Sequence, residues 1–339
     1  MQTSKNYLFN YLANELRPMF KRQYLREDIG AAIAVAFVAI PLSLAVALAT
    51  GVAPQVALIS AVIGGILGAV FGGSRLGITG PAVAMSVLLA GVLQDFGFAG
   101  LLIVGLICGL LQISLGILKL GRIAKYIPLS LVLAFTAGIG FLLFFEQLPY
   151  AFQIAGQTNN TITQTYSNLH LYAHHVSSAG FGLAALTIAI LTIVPRFLPR
   201  AYAFFFAVLI PMTLAHVTNI SVATVGMLPH DIFHPTVIDF NLINDWPKLA
   251  LTGLEVFILA SLETLLSLSA VDLMGKGDLH NPSQELIGQG VANIGVALFG
   301  GIPVSGIVAR SSVNVLAGAK TRRAAIFHAL IILIVVYCV

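Results

Sequence analysis

A single carboxylate, Glu263, stands in the run Leu-Ala-Ser-Leu-Glu-Thr-Leu-Leu-Ser at 259–267, near the middle of a long apolar stretch. An ionisable group at membrane depth costs at least about 2.5 kcal/mol on insertion scales, so it should face the protein interior and have a task. Binding a proton or a sodium ion is the chemistry that fits. Ser267, one turn later on the same helical face, can supply a neutral oxygen to a bound cation. The other charge at depth is Arg310, just beyond the break Gly300-Gly-Ile-Pro-Val-Ser-Gly306. A matching break, Arg75-Leu-Gly-Ile-Thr-Gly-Pro81, lies early in the chain. Each break predicts a short extended stretch followed by a helix that starts inside the membrane, the first at Pro81 and the second near Gly306 or Ile307. Free backbone N–H groups and the positive dipole end make such starts anion sites, and a low dielectric strengthens them. Arg310 adds a fixed positive charge one turn into the second half-helix.

These groups are held by a repeated element. Ala69-Val-Phe-Gly-Gly73 and Ala297-Leu-Phe-Gly-Gly301 each end an apolar segment, and each is followed by an irregular stretch, a small-residue run and Leu-Ala-Gly, at 89–91 and 316–318. Apolar segments fall at 29–48, 56–71, 81–94, 98–119, 127–146, 180–195, 202–217, 248–272, 284–299, 306–318 and 324–339. Of the 339 residues 58% are hydrophobic and 9% charged, with mean hydropathy +0.96. Average soluble domains carry about 25% charged residues, so the chain reads as an all-α polytopic membrane protein.

Lys and Arg fix the orientation, because cytoplasmic loops are enriched in them. Basic residues cluster at Lys5/Arg17/Lys21/Arg22/Arg26, Lys119/Arg122/Lys125, Arg196/Arg200 and Lys320/Arg322/Arg323, while the connections 147–179 and 218–247 contain none. A cytoplasmic amino terminus puts every cluster inside and both long connections outside. The two Phe-Gly-Gly phrases then lie at opposite membrane faces, seven segments apart, and an odd offset inverts the second copy. The expected division is 1–28 cytoplasmic, 29–217 a first seven-segment repeat, 218–247 an outside connection, and 248–339 four segments of a second repeat. The chain ends inside an apolar run, so the second repeat is expected to be incomplete. Residues 1–28 lack a cleavable signal, and the first helix is expected to direct its own insertion.

Blander readings stand beside these. Gly64, Gly68 and Gly72 fit close helix packing at four-residue spacing. Glu263 and Arg310 could form an ion pair that locks the two repeats together. His170, His174 and His175 have metal-ligand spacing but lie in a polar outside connection, where solvated histidines are the simpler reading. Glu146 and Glu255 read as interfacial, and Cys108 and Cys338 support no disulfide framework. There is no Walker A motif, nucleophile elbow or zinc signature, which speaks against ATP-driven transport and enzymatic chemistry. No cofactor and no nucleic-acid partner is expected.

The runs Asn281-Pro-Ser-Gln-Glu-Leu-Ile-Gly-Gln-Gly-Val-Ala-Asn293 and Phe299-Gly-Gly-Ile-Pro-Val-Ser-Gly-Ile-Val-Ala-Arg310-Ser-Ser-Val-Asn314 resemble the SulP family of anion transporters. The likeness extends to Asp28-Ile-Gly-Ala, Ile40-Pro-Leu-Ser-Leu-Ala, Gly73-Ser-Arg-Leu-Gly-Ile-Thr-Gly-Pro81, Phe135-Thr-Ala-Gly-Ile-Gly140, Gln147-Leu-Pro149 and Ser261-Leu-Glu-Thr-Leu-Leu-Ser267. It covers essentially the whole chain. The resemblance implies two inverted seven-segment repeats forming core and gate domains, usually followed by a cytoplasmic STAS domain. On that pattern the last three gate helices and the STAS domain are expected to lie outside the 339 residues. It also implies an elevator-like motion, dimerisation of the full-length protein, and an anion site at Thr79, Gly80, Pro81, Ala82, Gly306, Ile307, Val308, Ala309 and Arg310. Ala309 stands where some relatives use a hydroxyl.

Together these readings predict a secondary transporter of a small inorganic anion, sulfate or bicarbonate, in a bacterial inner membrane, coupled to H⁺ or Na⁺ through Glu263 and Ser267. The alternatives are a nucleobase permease of the same architecture and an uncoupled anion channel or exchanger. The first needs side-chain partners for a ring, which the Ala/Val-lined breaks do not offer.

Overall fold

The computed structural model describes residues 22–126, 128–152, 177–198, 200–220, 235–236, 238, 240, 245–274 and 279–338. His170, His174 and His175, and the side chain of Glu146, lie outside the described residues. The apolar runs form helices, since a helix satisfies its own backbone groups where lipid offers no partner. In chain order they are α1 (Leu25–Thr50), α2 (Pro54–Phe71), α3 (Val83–Ile117), α4 (Leu129–Ala151), α5 (Ser178–Ile193), α6 (Arg200–Val217), α7 (Trp246–Met274), α8 (Pro282–Leu298), α9 (Val308–Leu316) and α10 (Arg323–Cys338). Five described helical stretches are long and apolar enough to cross a membrane, and the chain is a multi-pass membrane protein.

The two breaks become strands, β1 (Thr79–Pro81) and β2 (Val304–Gly306). They pair antiparallel, with Thr79 opposite Gly306, Gly80 opposite Ser305 and Pro81 opposite Val304. The half-helices that follow therefore leave the strand pair in opposite senses. Sequence reasoning placed the first helix start at Pro81. Pro81 is instead the last residue of β1, and α3 begins at Val83 with Ala82 as its N-cap. Strand pairing with Val304 holds Pro81 extended and delays the helix by two residues. The second start is Val308, one residue past the expected position, with Ile307 as N-cap.

The expected segments 81–94 and 98–119 are continuous in α3 except at Gly97, where φ is +65° and ψ is −167°. Only glycine adopts that conformation at little cost, so this residue separates the half-helix from the full helix after it. Between α3 and α8 the backbones touch. A Cβ on Gly109 would meet the Gly290 carbonyl oxygen at 2.7 Å, and one on Gly290 would meet the Gly109 carbonyl oxygen at 2.5 Å. This is the close approach that small residues permit between membrane helices. Gly64, Gly68 and Gly72 do serve close packing, but Gly64 and Gly68 face Val304 and Thr79 of the strands and only Gly72 faces a helix, at Glu285. α2 thereby lies against both strands.

The first Phe-Gly-Gly turn is clamped by charge. Gly73 and Ser74 donate their N–H groups to Glu285 Oε2 at 2.7 and 2.9 Å, while Arg322 Nη1 donates to the carbonyls of Ala69 and Gly72 at 2.9 and 2.7 Å. A buried helix end must find such partners, and here an acid takes the donors and an arginine the acceptors. The second turn uses a hydroxyl instead, with Ile302 N–H donating to Ser60 Oγ at 2.8 Å. The start of α1 is tied to the start of α10 by buried Asp28. It accepts from the N–H groups of Lys320 and Thr321, from Thr321 Oγ1, and from Arg323 Nη2 at 2.9 Å. Apolar packing joins α1, α2 and α10 around Ala36, Ala39, Leu58, Val62 and Ile332. A larger cluster, including Met85, Leu101, Val104, Leu249 and Val256, joins α3 and α7.

Candidate anion-binding site

The outer edge of β2 is satisfied by side chains. On β2, Gly306 N–H donates to Thr264 Oγ1 at 2.9 Å, and Val304 exchanges both its backbone groups with the Asn293 amide. On β1, the hydroxyl of Thr79 accepts from Gln289 Nε2 at 2.7 Å, and the same nitrogen bonds Glu285 Oε1 at 2.8 Å. Ile307 N–H donates to the Ile78 carbonyl at 3.0 Å, and Ile78 N–H donates to Ser311 Oγ at 2.8 Å. The starts of the two half-helices are thus fixed to each other and to α7 and α8.

A small cavity opens between them, lined by Leu42, Pro81, Val83, Glu263, Ile307, Val308 and Ala309. Its room, about 10 Å³, accommodates roughly one water molecule. Five of its seven lining residues belong to the two strand-to-helix transitions, and the sixth is the buried acid. Apart from Glu263 the lining side chains are apolar, and Val83, Val308 and Ala309 belong to the first turns of the two half-helices.

Glu263 is 2% exposed, and its Oε2 accepts from Ser305 Oγ at 2.8 Å. Ser267 is fully buried one turn along α7, and its hydroxyl has no hydrogen-bond partner among the described residues. The pair therefore presents a carboxylate and an unengaged hydroxyl on one helical face, a donor set suited to a proton or a small cation.

Arg310 is fully buried but does not line the cavity. Its guanidinium lies behind β1, against Gly80, where a Cβ would collide with Nη1. Nη2 donates to Ser43 Oγ on α1 at 2.9 Å, while Nε and Nη1 have no partner among the described residues. The ion pair between Glu263 and Arg310 considered from sequence is not formed: each has its own hydroxyl partner, on different elements. A guanidinium behind the strands acts on the cavity through its field and not by contact.

The structure brings Pro81, Ile307, Val308, Ala309 and Glu263 around one cavity. Thr79, Gly80, Ala82 and Gly306 form its backing, and Arg310 lies behind that. Ser43, Thr264, Ser305, Asn293 and Gln112 were not singled out from sequence. Their signal was present, since each is a polar side chain within or beside an apolar run.

Apolar helices interrupted by two half-helices that meet over a buried acid define a membrane transport protein of the broken-helix class. The chain belongs to the sulfate permease family, which its residues 25–339 match. It is 33% identical over 281 residues to the candidate sulfate transporter YvdB of Bacillus subtilis, covering 78% of this chain and 51% of that protein. It is 27% identical over 292 residues to the bicarbonate transporter BicA of Picosynechococcus, covering 78% and 49%. The chain thus spans about half the length of the curated relatives it matches. Among solved structures, the transmembrane domain of a cyanobacterial BicA superposes with a TM-score of 0.79 at 24% identity, over 94% of this chain and 84% of that one. Murine Slc26a9 in its inward-facing state gives 0.79 at 16%, over 99% and 60%. The fold is that of these transmembrane domains. The relatives are transporters and not enzymes.

Proposed function

We propose that the protein containing this chain is a secondary active transporter of a small inorganic anion, sulfate or bicarbonate, driven by H⁺ or Na⁺. The observation that carries the reading is the convergence of two half-helix starts and Glu263 on one cavity. Family membership and the names of the relatives support anion transport. Each helix start carries about half a positive charge. With Arg310 the site offers about two positive charges when Glu263 is neutralised and about one when it is ionised. A proton or sodium ion on Glu263 therefore raises anion affinity, which is symport. Thr79, Gly80, Pro81, Ala82, Gly306, Ile307, Val308 and Ala309 hold the anion, Arg310 sets the potential, and Glu263 with Ser267 takes the coupling ion.

The cavity is too small for sulfate, so transport requires the surrounding helices to part. An elevator-like motion of a core carrying both half-helices against a gate meets that need. In this reading residues 29–217 and 248–339 belong to inverted repeats, the full-length protein is a homodimer, and it sits in a bacterial inner membrane with its amino terminus in the cytoplasm.

The test is uptake of radiolabelled sulfate and bicarbonate by the full-length protein in proteoliposomes, under separate Na⁺ and pH gradients. Accumulation of one anion under one gradient is expected. Failure of both anions to enter or to compete would overturn the substrate class.

A further inference from the structure

All three residues of β2 are tied to a single turn of α7. Ser305 donates to Glu263, and Gly306 N–H donates to Thr264. Val304 is linked through two side chains. Its N–H donates to Asn293 Oδ1 at 2.7 Å and its carbonyl accepts from Asn293 Nδ2 at 3.0 Å. Asn293 Nδ2 also donates to Gln112 Oε1 at 2.9 Å, and Gln112 Nε2 reaches Ser261 Oγ at 3.4 Å. The chain of contacts runs from α8 through α3 to Ser261, two residues before Glu263. Asn293 and Gln112 are both fully buried.

The register explains why the links fall where they do. Ile307 bonds Ile78 across the strands, and hydrogen-bonded pairs alternate along an antiparallel ladder. Val304 and Gly306 consequently turn their backbone groups away from β1, toward Asn293 and Thr264. The amide of Asn293 completes an edge that no third strand covers.

We infer that Asn293 and Gln112 are positioning residues that make β2 and the Glu263 turn of α7 one rigid unit, so that cation occupancy at Glu263 is transmitted to the anion-facing start of α9. This rests on the coupling role proposed for Glu263. Of the three links, only Ser305 to Glu263 changes when the carboxylate is neutralised. The other two involve groups that do not titrate near neutral pH. If Val304 hung free, β2 would be held to α7 only at Ser305 and Gly306 and could pivot about them, absorbing part of a displacement of α7. With it anchored, the displacement passes directly to Ile307 and Val308, which line the cavity.

The test is the half-saturation for labelled sulfate and bicarbonate uptake by the full-length protein, with the coupling ion saturating and absent. The ratio of the two values measures the coupling, and such couplings commonly run about 5- to 150-fold. Asn293→Asp keeps the acceptor for Val304 N–H but sets an oxygen against the Val304 carbonyl and Gln112. Gln112→Leu leaves the Asn293–Val304 pair intact and cuts only the path to Ser261, so it decides the matter should the Asn293 variant fail to fold. Both variants are expected to lower the ratio at least about fivefold with maximal uptake at double saturation little changed. Glu263→Gln is the control, with a ratio near one. A wild-type ratio in Gln112→Leu, or a loss of maximal uptake alone, overturns the inference. A Glu263→Gln protein that keeps the wild-type ratio, or a wild-type ratio of one, overturns the coupling role and this inference with it.

Discussion

Glu263→Gln isolates charge from geometry. The side-chain amide oxygen can still accept from Ser305 Oγ, which now bonds Glu263 Oε2 at 2.8 Å, and the volume is nearly unchanged. What disappears is one negative charge on the wall of the cavity between Pro81 and Val308. An anion seated against that wall would lie about 5 Å from the carboxylate, and at an effective dielectric of about 20 their repulsion is about 3 kcal/mol. That corresponds to roughly two orders of magnitude in affinity. The variant is therefore expected to bind anion without a cation, with a half-saturation about a hundredfold below that of the cation-free wild type, and to lose its dependence on the driving gradient. Initial rates of labelled anion uptake in proteoliposomes, with and without Na⁺ or a pH gradient, measure both effects. Unchanged gradient dependence would refute the electrostatic argument, and a raised cation-free half-saturation would show that the carboxylate helps hold the anion instead of repelling it.

The other expectations concern the frame around that site. Gly80→Ala should push the Arg310 guanidinium away from Ser43 and raise the anion half-saturation by about tenfold, and should lower the thermal midpoint of the purified protein because a fully buried guanidinium loses its hydroxyl partner. Gly73→Ala meets the Asn281 carbonyl oxygen and the Glu285 backbone nitrogen, which cannot yield, so it should sharply lower that midpoint and the amount of folded protein. Asp28→Ala removes the acceptor that the Arg323 guanidinium, the Thr321 hydroxyl and the Lys320 and Thr321 N–H groups share, and should cost about 3 to 5 kcal/mol in unfolding experiments. Asp95→Asn should leave the thermal midpoint nearly unchanged, since its 2.9 Å pair with Lys248 is half exposed and screened by solvent.

Much of the helical frame was legible because burial in lipid imposes a strong rule: apolar runs about 20 residues long must be helices. Pro54 at the first turn of α2 and the left-handed Gly51 before it mark a helix boundary with ordinary chemistry. The strand pair was legible only as two irregular stretches. Thr79-Gly-Pro81 has no strand pattern of its own, and its partner lies more than 200 residues away, so the pairing is a tertiary fact. That pairing is also why Pro81 ends a strand where its missing N–H had suggested a helix start. In the site, Glu263 and Arg310 stood out as charges among apolar neighbours. The side of the strands on which the Arg310 guanidinium lies depends on Ser43, 267 residues away, and on the bare face of Gly80. Asn293 and Gln112 escaped notice because a neutral amide suggests no chemistry until its partners are known.

The antiparallel register of β1 and β2 sets a rule for how the sequence can change. Side chains in a strand alternate sides, so adding or removing one residue between Gly73 and Thr79, or between Gly301 and Val304, would reverse every side chain that follows. Ser305 would turn away from Glu263, and the tie to Asn293 would fall on a residue whose backbone points at the other strand. These two short segments are therefore intolerant of length variation. Gene libraries that vary the length of the two breaks should recover no working proteins.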